Sequence, residues 1–259
     1  MSERDGYPQG VPCWADISTS DVEGGRAFYG ELFGWEWEIS PDPSYGGYST
    51  ALLRGKRVAG LGGRMSDDQP VTWTTYLAVD DADKFATAVL EGGGALVAPP
   101  MDIPGEGRFA LAQDSTGALF GVWQAQAHRG SQLVNEPGTV VWNELITSGL
   151  DRAMAFYSTA LGVDWQDMDT GESGMVYKLL QVDGRTVGGA MAPTPEMAAL
   201  PPHWTIYFEV ADAEATVAKA RELGAQVLSP VTPTPQGPMA TLADPQGGAF
   251  AVIASGSTE

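Results

Sequence analysis

Little in this 259-residue chain is basic, and less of it is thiol or imidazole: it has 14 Lys and Arg, one cysteine and two histidines. A single cysteine, Cys13, leaves no internal disulfide to form. The N-terminus, Met1-Ser2-Glu3-Arg4-Asp5, lacks the basic and then apolar pattern of a secretory leader, so a cytoplasmic protein is expected. Against 33 Asp and Glu the formal net charge is −19, a balance that repels nucleic acid and anionic lipid. No apolar run approaches the roughly 18 residues of a membrane span. Neither a nucleic-acid nor a membrane partner is expected, and a neutral or cationic small molecule is the easier ligand, although an acidic surface also serves solubility alone. The chain is expected to be a monomer or homodimer.

What is present is a repeat. Trp14 recurs as Trp142, Phe28-Tyr29 as Phe156-Tyr157 and Gly34 as Gly162, each 128 residues apart. Val79 matches Val210 at 131, and Asp114, Gly117 and Phe120 match Asp244, Gly247 and Phe250 at 130, so only small loop insertions separate two copies of one domain. The expected boundaries are 1–125 for the first copy, 126–138 for a polar, Gly/Pro-containing linker and 139–259 for the second. At this length each copy is expected to bury a core of its own.

Each copy reads twice as strand, helix and three short strands. In the first unit, strand Pro12 to Thr19 precedes a helix capped by Asp21 and ended by Gly34, and then strands near Trp35 to Ile39, Tyr48 to Leu53 and Arg57 to Leu61. The second unit has strand Val71 to Val79, helix Asp81 to Glu91 and strands near Ala95 to Ala98, Arg108 to Gln113 and Ala118 to Gln124. The latter half repeats this with strand Val140 to Thr147, helix Leu150 to Leu161, strand Trp204 to Val210 and helix Ala213 to Leu223. Gly60-Leu61-Gly62-Gly63 and Gly92-Gly93-Gly94 do not open a helix after a strand, so they read as turns or close backbone packing and not as phosphate loops. Lys56-Arg57 and Arg185 read as solvated strand tips, and Cys13 as a buried structural thiol.

The segment Asp21-Val22-Glu23-Gly24-Gly25-Arg26-Ala27-Phe28-Tyr29 with Leu32-Phe33-Gly34-Trp35, its partner Phe156-Tyr157 with Leu161-Gly162, and the turns Asp114-Ser115-Thr116-Gly117 and Asp244-Pro245-Gln246-Gly247 resemble the vicinal-oxygen-chelate superfamily of glyoxalases, bleomycin-resistance proteins and dioxygenases. The nearest pattern is that of two-domain actinobacterial glyoxalase-like proteins often labelled hydroxylases. The resemblance implies an α+β fold, a tandem duplication whose four βαβββ units form two curled eight-stranded sheets, each around a cavity. It also says where metal ligands stand in metal-dependent relatives: Trp14, Thr74 and Gly121 here, Trp142, Thr205 and Ala251 in the second copy, and a fourth-strand position within 58–62 or 187–191. None of these carries a ligating side chain, so no metal and no cofactor is expected.

Strand alternation then gives the concave face. In the first copy it holds Trp14, Asp16, Ser18, Thr74, Tyr76, Gly121 and Trp123, and in the second Trp142, Glu144, Ile146, Thr205, Tyr207, Glu209 and Ala251. Trp14, Tyr76, Trp123, Trp142 and Tyr207 are candidate walls for an aromatic or polycyclic ligand, or else fillers of the space a metal would need. Asp16, Glu144 and Glu209 are candidate acids or bases, or else structural hydrogen-bond acceptors. His203, just before its strand, is a candidate for the second rim, and His128 falls in the linker. Two functions stay open: a metal-independent tailoring enzyme of aromatic secondary metabolism, of hydroxylase type or assisting by acid and base, and a non-catalytic binder of a drug or metabolite. A protein-interaction module has no positive feature in the sequence.

Overall fold

The protein is described by a computed structural model over residues 2–171 and 175–256. Its elements follow the expected order. The first half has β1 (Pro12–Thr19), α1 (Val22–Phe33), β2 (Glu36–Ile39), β3 (Ser49–Leu53), β4 (Lys56–Gly63), β5 (Thr72–Ala78), α2 (Ala82–Glu91), β6 (Ala95–Ile103), β7 (Gly107–Gln113) and β8 (Leu119–Ala125). The second half has β9 (Val140–Ile146), α3 (Leu150–Leu161), β10 (Asp164–Asp167), β11 (Tyr177–Val182), β12 (Arg185–Met191), β13 (His203–Glu209), α4 (Ala213–Glu222), β14 (Gln226–Thr232), β15 (Met239–Ala243) and β16 (Ala249–Ile253). Asp21 caps α1 by accepting from the Gly24 amide, and Gly34 closes it in the left-handed region at φ 74°. β6 runs five residues beyond the expected Ala98, through Pro99 and Pro100. It can do so because it is an edge strand, broken by register shifts, in which a missing amide donor costs no ladder bond.

Two eight-stranded mixed sheets result, in the orders β2-β3-β4-β1-β5-β8-β7-β6 and β10-β11-β12-β9-β13-β16-β15-β14. Each half therefore joins its own two units through an antiparallel pair of first strands, β1 with β5 and β9 with β13. Neither sheet closes on itself.

The cores do not follow the halves, contrary to the expectation of one core per copy. One cluster joins Phe28, Tyr29, Phe33 and Trp35 of the first unit to Phe208, Val210, Val217 and Phe250 of the fourth. The other joins Leu77, Phe85, Val89 and Phe120 of the second unit to Leu145, Phe156, Tyr157 and Trp204 of the third. The physical reason is that helices cover the back of each sheet and leave an apolar face that only the other half's helices and strands can bury. Matched polar ties hold the two together. Tyr29 Oη donates to Asp244 Oδ2 at 2.8 Å and accepts from Trp73 Nε1 at 3.0 Å, while Tyr157 Oη donates to Asp114 Oδ2 at 3.1 Å and accepts from Trp204 Nε1 at 2.9 Å. Each aspartate's other oxygen accepts backbone amides of its own turn, from Thr116 and Ala118 or from Gln246 and Gly248. The Phe-Tyr helix motif of one half thus locks onto the Asp-x-x-Gly turn of the other.

Candidate functional site

With the back faces consumed by packing, the open side of each sheet is the place for chemistry. On β1, Trp14 stands opposite Tyr76, and Asp16 stands opposite Thr74 and beside Gly60. On β9, Trp142 stands opposite Tyr207, and Glu144 opposite Thr205 and beside Gly189. The structure adds a member that strand alternation does not supply, Tyr48 just before β3 and Tyr177 at the start of β11. A Cβ on Gly60 would lie 2.0 Å from the Tyr48 hydroxyl oxygen, and one on Gly189 would lie 2.3 Å from that of Tyr177. These glycines leave the fourth strand bare so that a phenol can lie across it. The signal was present in the repeat, since both Tyr48 and Tyr177, and Gly60 and Gly189, are 129 residues apart.

The result is one network built twice. In the first half Trp14 Nε1 donates to Tyr48 Oη at 3.1 Å, and Tyr48 Oη donates to Asp16 Oδ2 at 3.2 Å. In the second Trp142 Nε1 donates to Tyr177 Oη at 2.9 Å, Tyr177 Oη donates to Glu144 Oε1 at 2.7 Å, and Tyr207 Oη donates to Glu144 Oε2 at 2.7 Å. Asp16 is half-buried and Glu144 buried. Burial pushes the Asp16 carboxyl up to about 6, with hydrogen bonding to Tyr76 and Tyr48 pulling the other way. Burial likewise raises Glu144, opposed by Tyr177, Tyr207 and the charge of His203. The same burial, together with the carboxylates beside them, pushes the phenols of Tyr48, Tyr177 and Tyr207 upward, so they remain donors at neutral pH.

The remaining candidates separate. His203 is the first residue of β13, paired with Ile146 on the Glu144 side of the sheet. Glu209 engages Ser255 with both oxygens, accepting from its amide at 2.9 Å and its hydroxyl at 2.6 Å. Trp123 donates from Nε1 to the His128 carbonyl at 2.7 Å. That bond brings the linker residue His128 into the first site, where its ring meets Trp14 edge-on at 4.3 Å between centroids and Trp123 at 5.1 Å. Burial lowers the His128 imidazole to about 4, with the Arg57 cation adding to the effect. Arg57 is not a free tip: it pairs with Glu106 at 2.8 Å. With Arg4, Lys56, Arg129 and His128 it lines a cleft of about 840 Å³ outside the imidazole. Arg108 pairs with Asp83 and Asp102 at 2.9 Å each. Cys13 is buried, with its thiol pushed upward by burial.

The two halves differ in how full they are. Tyr7, Ile103, Phe109 and Leu111 pack against Trp14, Tyr76 and Trp123 in the first. In the second the corresponding cluster is Trp142, Tyr207, Ala251 and Ile253 with Val141 and Met239. Trp14 is 6% exposed, whereas Trp142, with the same indole bond, is only half-buried.

The opposed shifts of Asp16 and His128 predict a pH effect. The folded chain holds the Asp16 proton up to about pH 6 while an unfolded one releases it near 3.8, so between these values this group's contribution to stability falls as pH rises. His128 is the reverse: its folded value near 4 lies below the ordinary 6.5, so its contribution is lost as pH falls through that window. Asp16→Asn should therefore make the loss of stability between pH 6 and 4 steeper, and His128→Asn should make it shallower. Urea midpoints across the range check both slopes, and parallel curves for the three proteins would refute the assignment.

Four βαβββ units in two open sheets, with paired sites on their concave faces, define a tandem vicinal-oxygen-chelate protein. The chain belongs to the Glyoxalase/Bleomycin resistance protein/Dioxygenase superfamily, whose pattern matches residues 138–252. It is 42% identical over 258 residues to "Putative glyoxylase CFP32" of Mycobacterium tuberculosis, spanning 98% of both chains. It is 37% identical over 264 residues to "Anthracycline biosynthesis protein DnrV" of Streptomyces peucetius, spanning 95% of this chain and 94% of that one. Among solved structures the Mn(II)-bound glyoxalase from Novosphingobium aromaticivorans shares the fold, with a TM-score of 0.63 at 14% identity, covering 98% of this chain and 83% of that one.

That fold implies a divalent ion, and the residues do not fit one. The ligand positions hold Trp, Thr and Gly or Ala, the fourth-strand position is crossed by a tyrosine, and among the described residues no three His, Cys, Asp or Glu side chains gather. A single carboxylate between phenols is a proton-handling and hydrogen-bonding group.

Proposed function

We propose that the chain is a metal-independent member of its superfamily that acts on an aromatic or polycyclic small molecule in secondary-metabolite tailoring, with the second half as the working site. The observation that carries this is Glu144, a buried carboxylate with a raised pKa held between Tyr177 and Tyr207, beside an indole that is left half open. Such a group takes or returns a proton at a ligand hydroxyl or an acidic carbon, while Trp142 and Tyr207 give flat walls for a ring. The relatives named for anthracycline biosynthesis support a polycyclic ligand. Non-catalytic binding is the second reading, favoured by one feature: both oxygens of Glu144 already accept from the chain's own hydroxyls, so the site is satisfied before a ligand arrives.

Titrating the chelator-treated protein with an anthracycline aglycone, followed by tryptophan fluorescence and by mass spectrometry of the mixture, tests both. Saturable quenching that is lost in Trp142→Ala is expected without added metal. A mass or retention shift of the aglycone makes the chain an enzyme, and binding without one makes it a binder. Binding or conversion that appears only on adding Mn(II), Fe(II) or Zn(II) would overturn metal independence.

A further inference from the structure

Resting on that reading of the second half, we propose that each half has a ring-binding subsite on its first-strand tryptophan, that the chain's own His128 imidazole fills the first one, and that the second is open to a planar ring of the ligand, with Ile253 and Met239 setting its room.

The two concave faces can be superimposed by strand pairing. Trp123 is flanked by Ala78 and Phe109, and Ile253 by Glu209 and Met239, so Ile253 stands at the place of Trp123 and Met239 at the place of Phe109. Trp14 and Trp142 also correspond, each paired with a tyrosine and each donating its indole N–H to the phenol beside the carboxylate. Upon this shared frame the first half adds His128. Its ring lies edge-on to Trp14 and tilted against Trp123, anchored by the Trp123 bond to its carbonyl and by the Gly130 amide, 3.4 Å from Nδ1. His128 lines that cleft and also meets the Trp14 indole.

Among the described residues no ring meets Trp142 as His128 meets Trp14. At the spacing of 130 the residue matching His128 is Thr258, outside the described residues and without a ring in its side chain. The indole wall of Trp123 becomes aliphatic in Ile253, and the phenyl of Phe109 becomes the unbranched, adaptable side chain of Met239. The indole consequently gains exposure, as noted for Trp142. The imidazole shows what the shared frame accepts: a flat ring in edge contact with an indole, in a place whose burial disfavours a cation. The second half thus offers the corresponding place, edge-on to a half-open Trp142, to a flat ring from outside the chain.

A dihydroxyanthraquinone is a suitable neutral probe, titrated into the full chain with tryptophan fluorescence as the readout. Wild type is expected to bind one equivalent. Ile253→Trp, which rebuilds the first half's wall, should weaken binding at least about tenfold, and Met239→Phe is the milder refill if the first variant fails to fold. His128→Gly leaves a place of imidazole size beside Trp14 and Trp123, so millimolar imidazole should raise its unfolding midpoint by more than it raises that of wild type. If wild type binds the probe and both refilled variants bind it equally well, the subsite is wrong while the second-half reading stands. If wild type binds none, the second-half reading falls and the open subsite falls with it. The filled subsite is then judged alone by imidazole on His128→Gly, where no rise in midpoint beyond that of wild type overturns it.

Discussion

A fragment ending at residue 125, and equally one beginning at residue 139, is expected not to fold cooperatively on its own. Each would keep its complete sheet, yet each shared core would be cut in two. The first fragment would expose Phe28, Tyr29, Phe33 and Trp35 where Phe208, Val210 and Phe250 had covered them, and the second would expose Phe156, Tyr157 and Trp204. Side chains of this kind contribute roughly 1.5–3 kcal/mol each when buried, and a domain's whole stability is about 5–15 kcal/mol. Uncovering half a dozen is enough to remove it. Asp114 and Asp244 would also lose the tyrosines that satisfy them. Near-UV circular dichroism and urea unfolding of each fragment check the expectation, and mixing the second with a first fragment extended to residue 138, which restores His128 and the buried Leu133, should recover a native spectrum. A single fragment with a sharp, cooperative transition would show that the shared cores are dispensable.

Glu144→Gln is expected to lower turnover by at least about tenfold on any substrate that is found, at the modest end of what loss of a general acid or base does, whereas Asp16→Asn mainly changes ligand affinity or stability. The asymmetry follows from occupancy. Asp16 lies in the half whose tryptophan is already covered by His128, while Glu144 lies beside the more open one. Gln keeps the size of Glu and one acceptor oxygen, but it cannot carry a proton between the two phenols, and its amide NH2 would face a hydroxyl that now donates. Steady-state kinetics over pH 5 to 9 decide the matter. Full turnover in Glu144→Gln with loss in Asp16→Asn would move the chemistry to the first half.

The architecture was legible because its signals are local and doubled. Asp21 and Gly34 bound a helix wherever they stand, and a Trp, Phe-Tyr, Gly series repeated at constant spacing needs no tertiary knowledge. Strand alternation likewise put Trp14, Asp16 and Tyr76 on one face, and Trp142, Glu144 and Tyr207 on the other half's equivalent. What stayed hidden depends on contacts across long separations. Tyr29 and Asp244 lie 215 residues apart, and each reads alone as packing or a turn. Glu209 has the right alternation for the Glu144 face, but at a strand end its carboxylate reaches Ser255 beyond β16. His128 sits in a stretch whose polarity says linker, and only the fold brings it to Trp14. Tyr48 and Tyr177 escaped because their rings cross a neighbouring strand whose glycines, not their own strand's pattern, make room.

The Tyr-to-Asp ties between halves have a further consequence for how such a molecule can change. The back of each sheet is a joint, so a residue there answers to two copies at once, and altering one side of a tie requires a matching alteration 43 or 215 positions away. The front of each sheet answers to nothing but its own cavity. One half can therefore cover its first-strand tryptophan with a linker histidine, yet it cannot be discarded, because it is the other half's lid on the apolar side. Duplication here leaves each front free to be rebuilt while each back serves as the other copy's keel.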